Sequence, residues 1–214
     1  MEIKERLKEI IKRLNREYPN AKIALEYGNP VEILVATILS AQCTDARVNI
    51  VTKTLFKKYK TARDYAGADI RKFEQDIRST GFYHSKAKNI TSAVKMIIEK
   101  FGGKVPDTME ELVTLPGVAR KTANIVLGNA FGKVVGIAVD THVRRLSQRL
   151  GLSKTDDPVK IEQDLMSIVP KDEWFRISNA LIDHGRKTCG AKKPECGGCI
   201  LSDVCPKVGI RHAS

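Results

Sequence analysis

The stretch LPGVARKTA at residues 115–123 decides how this chain is read. Pro116 and Gly117 mark a turn, and the run TANIVLGNA at residues 122–130 has helical apolar spacing. A helix therefore starts near Ala119, and two cations, Arg120 and Lys121, fall in its first turn. That end of a helix is the positive pole of the backbone dipole and favours anions by roughly 0.3–1 kcal/mol. Cations belong there if an anion lies opposite the turn, and if the lysine is wanted in its uncharged form.

Upstream, Asp107 followed by Glu110 resembles a capping box for a short helix ending near Leu115. Residues 107–131 then read as helix, hairpin, helix. Such a turn can aim the backbone N–H groups of Gly117, Ala119 and their neighbour Val118 at a phosphate, with Arg120 adding a charge contact. Lys121 sits beside this positive turn, which disfavours its ammonium form and leaves a fraction as free amine. A free amine is a nucleophile towards a sugar C1′. Downstream, VDTHV at residues 139–143 places Asp140 just before a new helix. Asp140 fits an N-cap. A carboxylate there can also stabilise the positive charge that builds on a sugar ring as its base departs, and one residue can hold both roles. His142 reads as structural or solvent-facing.

Nearly every other segment reads as helix. Ile3, Leu7, Ile10, Ile11 and Leu14 recur at helical spacing before Pro19. Residues 31–42, VEILVATILSAQ, are apolar on almost every side and predict a central buried helix. Val48, Val51, Leu55 and Phe56 mark the next, and Ile70, Phe73 and Ile77 a short one stopping near Gly81. Residues 85–101 carry Ile90, Val94, Ile97 and Ile98 on one stripe and end at Gly102 and Gly103. Further helices are expected at about 119–130, 141–150, 158–168 and 172–185. No period-2 alternation is long enough for a strand, although residues 134–139 form an ambiguous apolar run. The expectation is an all-α fold of roughly ten helices.

A chain of 214 residues, 42% hydrophobic and 29% charged, has the composition of a soluble globular protein with one large domain or two small ones. Its 37 Lys and Arg against 25 Asp and Glu give a net charge of +12. That excess suits a polyanion such as nucleic acid, against the plainer alternative of a solvated basic surface. The polar N-terminus predicts no signal peptide, and no apolar run approaches the ~20 residues of a membrane span. A cytoplasmic or nuclear protein with reduced thiols is expected, and its five cysteines point to metal rather than to disulfides.

Four of those cysteines, Cys189, Cys196, Cys199 and Cys205, form a C-x6-C-x2-C-x5-C pattern. Four thiolates this close suit tetrahedral zinc or a [4Fe-4S] cube. Zinc sites more often pair two short knuckles, and only one short pair exists here, so the spacing favours iron–sulfur. Lys192 and Lys193 project from the loop between the first two cysteines, either merely solvated or as phosphate contacts. Cys43 reads as a small core residue at the end of the buried helix.

Together LPGVARKTA, VDTHV and the cysteine pattern, in this order, closely resemble the endonuclease III family of DNA-repair glycosylases. SAQCTD at residues 40–45 and GFYHSKAKNI at residues 81–90 extend the resemblance over essentially the whole chain. It implies excision of oxidised pyrimidines from double-stranded DNA and strand cleavage at the resulting abasic site. Lys121 would be the attacking amine, Asp140 the assisting carboxylate, and the four tail cysteines the ligands of a structural [4Fe-4S] cluster. The implied architecture is a helical bundle of residues 22–134, containing the hairpin, and a cluster domain of residues 1–21 with 135–214, flanking a DNA-binding groove. Gln42 and Phe82 would fill the hole left by the extruded nucleotide, and Tyr83, His84 and Lys86 would join the DNA contacts. The implied protein is a monomer, associated with the nucleoid in a prokaryote.

Two positions depart from the family pattern. Ala119 stands where a second hairpin glycine is usual, which matters if that position needs positive φ. His84 stands where relatives commonly have Asn. Adenine- and thymine-mismatch relatives share the hairpin and aspartate but lack the hairpin lysine, so Lys121 favours the lyase-competent branch. A non-catalytic, zinc-stapled DNA-binding module would explain the charge, the hairpin and the cysteines, but not Lys121 and Asp140 together.

Overall fold

The computed structural model describes residues 2–210. These residues form eleven α-helices and three short 3-10 helices, with no strand beyond an isolated antiparallel bridge between Cys189 and Pro194. The fold is all-α, as the apolar periodicity predicts. None of the described helices is long and apolar enough to cross a membrane. The chain divides into two compact units, Ala24–Val135 and Met1–Ile23 with Gly136–Ser214.

The discontinuous unit begins with α1 (Ile3–Glu17), whose Leu7, Ile10, Ile11 and Leu14 are buried at helical spacing. The continuous unit follows. In α2 (Pro30–Leu39), Asn29 accepts a hydrogen bond from the Glu32 N–H at 3.0 Å, and Pro30 occupies the first turn. Every residue from 33 to 39 is buried, so α2 is the central helix of its unit. Each fully buried Ile or Leu there contributes about 1.5–3 kcal/mol. Around it lie α3 (Asp45–Lys58), α4 (Ala62–Ala66), α5 (Ile70–Asp76), α6 (Tyr83–Phe101), α7 (Met109–Leu112) and α8 (Arg120–Phe131). Helix α2 packs on α3, α6 and α8.

Three local expectations are corrected here. The helix α4 has no counterpart in the periodicity, because it is five residues long and held by a capping box of Thr61 and Asp64. Its Tyr65 is fully buried in an aromatic cluster with Tyr59 and Phe73, at centroid distances of 5.1 and 5.8 Å. The cap of α7 is Thr108, which accepts from the Glu111 N–H, one residue later than Asp107 and Glu110 suggested. Asp107 instead takes the Lys133 ammonium at 2.6 Å. Finally, α2 stops at Leu39, so Gln42 and Cys43 lie in the turn beyond it.

The chain then returns to the discontinuous unit as α9 (Thr141–Arg149), α10 (Pro158–Ile168) and α11 (Trp174–Lys187). The ambiguous run at residues 134–139 is neither helix nor strand, and its Ile137 and Val139 enter this unit's core. Leu201 and Val204 join the same core and anchor the cysteine-rich tail. Arg13 on α1 ties the tail further, donating to the Ile200 carbonyl at 2.7 Å and to Asp203 Oδ2 at 2.9 Å.

Candidate functional site

The hairpin is built from its buried ends. Leu115 and Val118 are 2% and 6% exposed, so the turn between α7 and α8 is fastened to the unit's core. Gly117 between them has φ +79°, a left-handed conformation that suits glycine. Ala119 is the N-cap of α8 with φ −93° and ψ 171°. This is ordinary extended backbone, so alanine replaces the usual glycine there without strain. Helix α8 has no side-chain cap and no acidic residue in its first turn, which leaves the dipole's positive pole uncompensated from within the turn. Arg120 is exposed and Lys121 half-buried at the first two helical positions.

Two further turns of the same unit carry Gln42 and Phe82. Their φ values are 52° and 48°, and among the described residues only Lys207 is another non-glycine residue with positive φ. Such conformations cost on the order of 1–3 kcal/mol and persist only where the surroundings over-determine them. Phe82 is nevertheless 66% exposed, so its ring is not held there by burial. Gln42, Phe82, Asn89, Gly117 and Thr122 all line one cavity, which brings the two turns and the hairpin together. Asn89 has no part in the sequence reading, yet it packs directly against Gly117. Tyr83 is half-buried with its ring 4.2 Å from that of His84, and the exposed His84 places Nδ1 2.9 Å from a Glu74 carboxylate oxygen.

Lys86, which the resemblance puts among the DNA contacts, lies inside the unit rather than at its surface. Its side chain is buried, and Nζ donates to the carbonyls of Leu39 at 2.8 Å and Thr80 at 2.7 Å. Burial pushes its pKa below the ordinary lysine value. The spacing of Lys86, Ile90, Val94 and Ile97 on α6 already put it on the buried stripe.

Asp140 belongs to the discontinuous unit and caps α9. Its Oδ1 accepts from the His142 and Val143 N–H groups, both at 2.8 Å. Both cap bonds fall on one oxygen, so the cap does not use Oδ2. His142 is structural: Arg145 Nη2 lies 3.2 Å from its Nδ1, and a Cβ on Gly185 would come within 2.8 Å of that same nitrogen. Burial holds the His142 pKa below its usual value.

The four tail cysteines line a single cavity together with His184 and Arg149. Their sulfurs are met by donors: Arg149 Nη1 lies 3.3 Å from Cys189 Sγ, the Leu201 N–H 3.4 Å from Cys199 Sγ and the Lys207 N–H 3.3 Å from Cys205 Sγ. His184 Nε2 is 3.4 Å from Cys199 Sγ, while the Tyr18 hydroxyl meets His184 Nδ1 at 3.0 Å. Burial raises the Cys199 and Cys205 thiol pKa values. Among the described residues no group of three or more His, Cys, Asp or Glu side chains is spaced to hold one metal ion. Cys43 lies in the other unit. Lys192 and Lys193 are exposed on a loop pinned at its base by the Cys189–Pro194 bridge. Arg149, which the cysteine spacing does not disclose, donates to the Gly190 and Ala191 carbonyls at 2.8 and 2.9 Å and braces that loop.

Comparison with known proteins agrees with this set of features. The profile of the HhH-GPD superfamily of base excision DNA repair proteins matches residues 35–171. Endonuclease III of Synechocystis sp. is 55% identical over 203 residues, covering 95% of this chain and 93% of that protein. Endonuclease III of Bacillus subtilis is 52% identical over 189 residues, covering 88% and 86%. A solved structure of a non-covalent endonuclease III–DNA complex superposes with a TM-score of 0.92 at 46% identity, over 97% of both chains. The chain belongs to the endonuclease III family, within the HhH-GPD superfamily of base excision DNA repair proteins.

Proposed function

We propose that this chain, a DNA N-glycosylase of base excision repair by its family, removes oxidised pyrimidines from duplex DNA and then cuts the strand 3′ of the abasic site. The observation that carries this reading is the placement of Lys121. It is the second residue of α8, after a hairpin free of acidic groups in the helix's first turn, and its neighbour Thr122 lines the cavity shared with Gln42 and Phe82. A lysine so placed has both an anion site and a space for a displaced nucleotide beside it.

The backbone of Gly117, Val118 and Ala119 and the charges of Arg120, Lys192 and Lys193 hold phosphates, with Tyr83 and His84 against the strand. Gln42 and Phe82 fill the gap left in the stack. Lys121 Nζ forms a bond to C1′ as the C1′–N bond to the base breaks, and the base leaves with a proton. Asp140, its Oδ1 fixed by two amides, offers Oδ2 to offset the sugar's positive charge and to move protons. The C1′–O4′ bond of the resulting aminal then opens, O4′ taking a proton by way of Asp140, to give an imine; the imine acidifies the C2′ hydrogen, whose loss expels the 3′ phosphate oxygen and breaks the strand. Lys121 belongs to a bundle domain of residues 22–134, and Asp140 to a cluster domain of residues 1–21 with 135–214.

Cys189, Cys196, Cys199 and Cys205 would hold a [4Fe-4S] cluster. Two observations support this: the four cysteines line one cavity, and N–H donors point at three of the sulfurs, as a thiolate-held cluster needs. When bound, the cluster supplies a rigid tie for the tail and no chemistry at the sugar. The protein works as a cytoplasmic monomer, on nucleoid DNA in a prokaryote.

Borohydride added during reaction with a duplex carrying one oxidised thymine is expected to trap a covalent protein–DNA adduct, and Lys121→Gln to abolish it. An adduct surviving that substitution moves the nucleophile elsewhere. Excision confined to mismatched adenine or thymine would select the mismatch branch, and a colourless, zinc-loaded, inert protein the binding module.

A further inference from the structure

Lys86 sits at the junction of the two strained turns. Leu39, whose carbonyl it binds, is the last residue of α2, and Thr80, its other partner, is the last residue of the 3-10 helix Arg78–Thr80. Both are end-of-helix carbonyls that no following turn satisfies. Each is followed, three and two residues on, by a left-handed non-glycine residue: Gln42 after Leu39, and Phe82 after Thr80. One lysine, 4% exposed, thus caps both helix ends through its ammonium and bridges the two segments that present those side chains to the shared cavity.

A buried lysine is costly unless its charge is hydrogen-bonded, and methionine of similar length would fill the same space without that cost. The two carbonyl bonds are what lysine adds. They fix the relative position of two exposed side chains that burial alone does not hold, since Phe82 is largely in solvent.

We infer that Lys86 is a positioning residue that locks the Gln42 and Phe82 turns into one rigid two-pronged wedge, so that both side chains enter the duplex together. This rests on the reading of Gln42 and Phe82 as the residues that fill the stack. Lys86 touches no reacting atom, and acts through the carbonyls of Leu39 and Thr80.

The test is a mutant cycle on the full-length protein. Single-turnover excision is measured on a duplex with one oxidised thymine opposite 2-aminopurine, whose fluorescence rises when it is unstacked. Lys86→Met is expected to lower excision roughly 10- to 100-fold and to remove the fluorescence rise. In the Gln42→Ala/Phe82→Ala background the same substitution is expected to change excision by less than about threefold, because nothing remains for it to position. A similar loss in both backgrounds, or none in the wild-type background, overturns the inference while the wedge reading stands. If the double variant itself excises normally, the wedge reading falls and takes this inference with it. Should Lys86→Met fail to fold, Lys86→Gln, able to satisfy one carbonyl but not both, enters the same cycle with the same expected pattern.

Discussion

Asn89 leaves no room for a side chain on Gly117: a Cβ there would lie 2.9 Å from the Asn89 Cβ and 3.0 Å from its Nδ2. The positive φ of 79° at Gly117 adds a second, independent cost. Gly117→Ala is therefore expected to destabilise the protein by about 1–3 kcal/mol, lowering the melting temperature roughly 2–4 °C for each kcal/mol. It should also weaken binding to undamaged duplex, because the hairpin amides move. Asn89→Ala should not rescue it, since the Asn89 Cβ and the φ both remain. Calorimetry and fluorescence anisotropy at one fixed salt concentration read the two effects, and full rescue would refute the steric account.

Substitutions at Asp140 are expected to separate stability from chemistry. Its N-cap needs only an acceptor oxygen for the His142 and Val143 amides, which asparagine also supplies. Asp140→Asn is expected to keep the melting temperature close to wild type while single-turnover excision falls about 100-fold or more, because the neutral amide offsets no charge. Asp140→Ala should lose the same activity and about 1 kcal/mol of stability besides. Equal thermal losses for the two variants would mean that the cap is not what Oδ1 provides.

The sequence made the architecture legible where chemistry is repeated along the chain. The apolar run of α2, the stripe of α6 and the hairpin punctuation are each a pattern of several residues, and the structure has the corresponding helices and turn. What stayed hidden depends on single residues or on backbone angles. The helix α4 is one short turn with only Ala62 and Tyr65 buried, too little to register as a period. The left-handed φ of Gln42 and Phe82 leaves no trace in residue type, because neither is glycine or asparagine. The burial of Lys86 is a further case: residue type points a lysine to the surface, although its place four residues before Ile90 puts it on the buried face of α6. Residue type does not single out Arg149 among the many basic residues, since its bonds to the Gly190 and Ala191 carbonyls are fixed by tertiary contact alone.

The Arg149 bonds to the Gly190 and Ala191 carbonyls brace the basic loop. Replacing Lys192 and Lys193 together by alanine is expected to weaken non-specific duplex binding uniformly across sequences and to reduce the slope of log affinity against log salt by up to about 2. Arg149→Met leaves both lysines in place but frees the loop, so it should weaken binding at every salt concentration with little change in slope. It also removes the donor to Cys189 Sγ, a change that the visible absorbance of the proposed [4Fe-4S] cluster is expected to register. A slope unchanged in the double alanine variant would show that the loop lies away from phosphate.

His142 is expected to make stability acid-sensitive. Burial lowers its pKa first of all, with the Asp140 carboxylate opposing and Arg145 and Arg186 reinforcing the shift. The unfolded chain, with an ordinary histidine value of about 6.5, therefore binds more protons than the folded chain just below that pH. Stability is fully present above about pH 6.5 and declines as the pH falls towards the lower folded value. His142→Gln keeps an acceptor for Arg145 but does not titrate, so its melting temperature should fall less than wild type between about pH 7 and pH 5. His184, also depressed by burial, titrates in the same direction in both proteins and cancels from the difference. The difference between the two melting curves therefore isolates His142, and identical pH profiles would show that its ring is protonated in the folded state without cost.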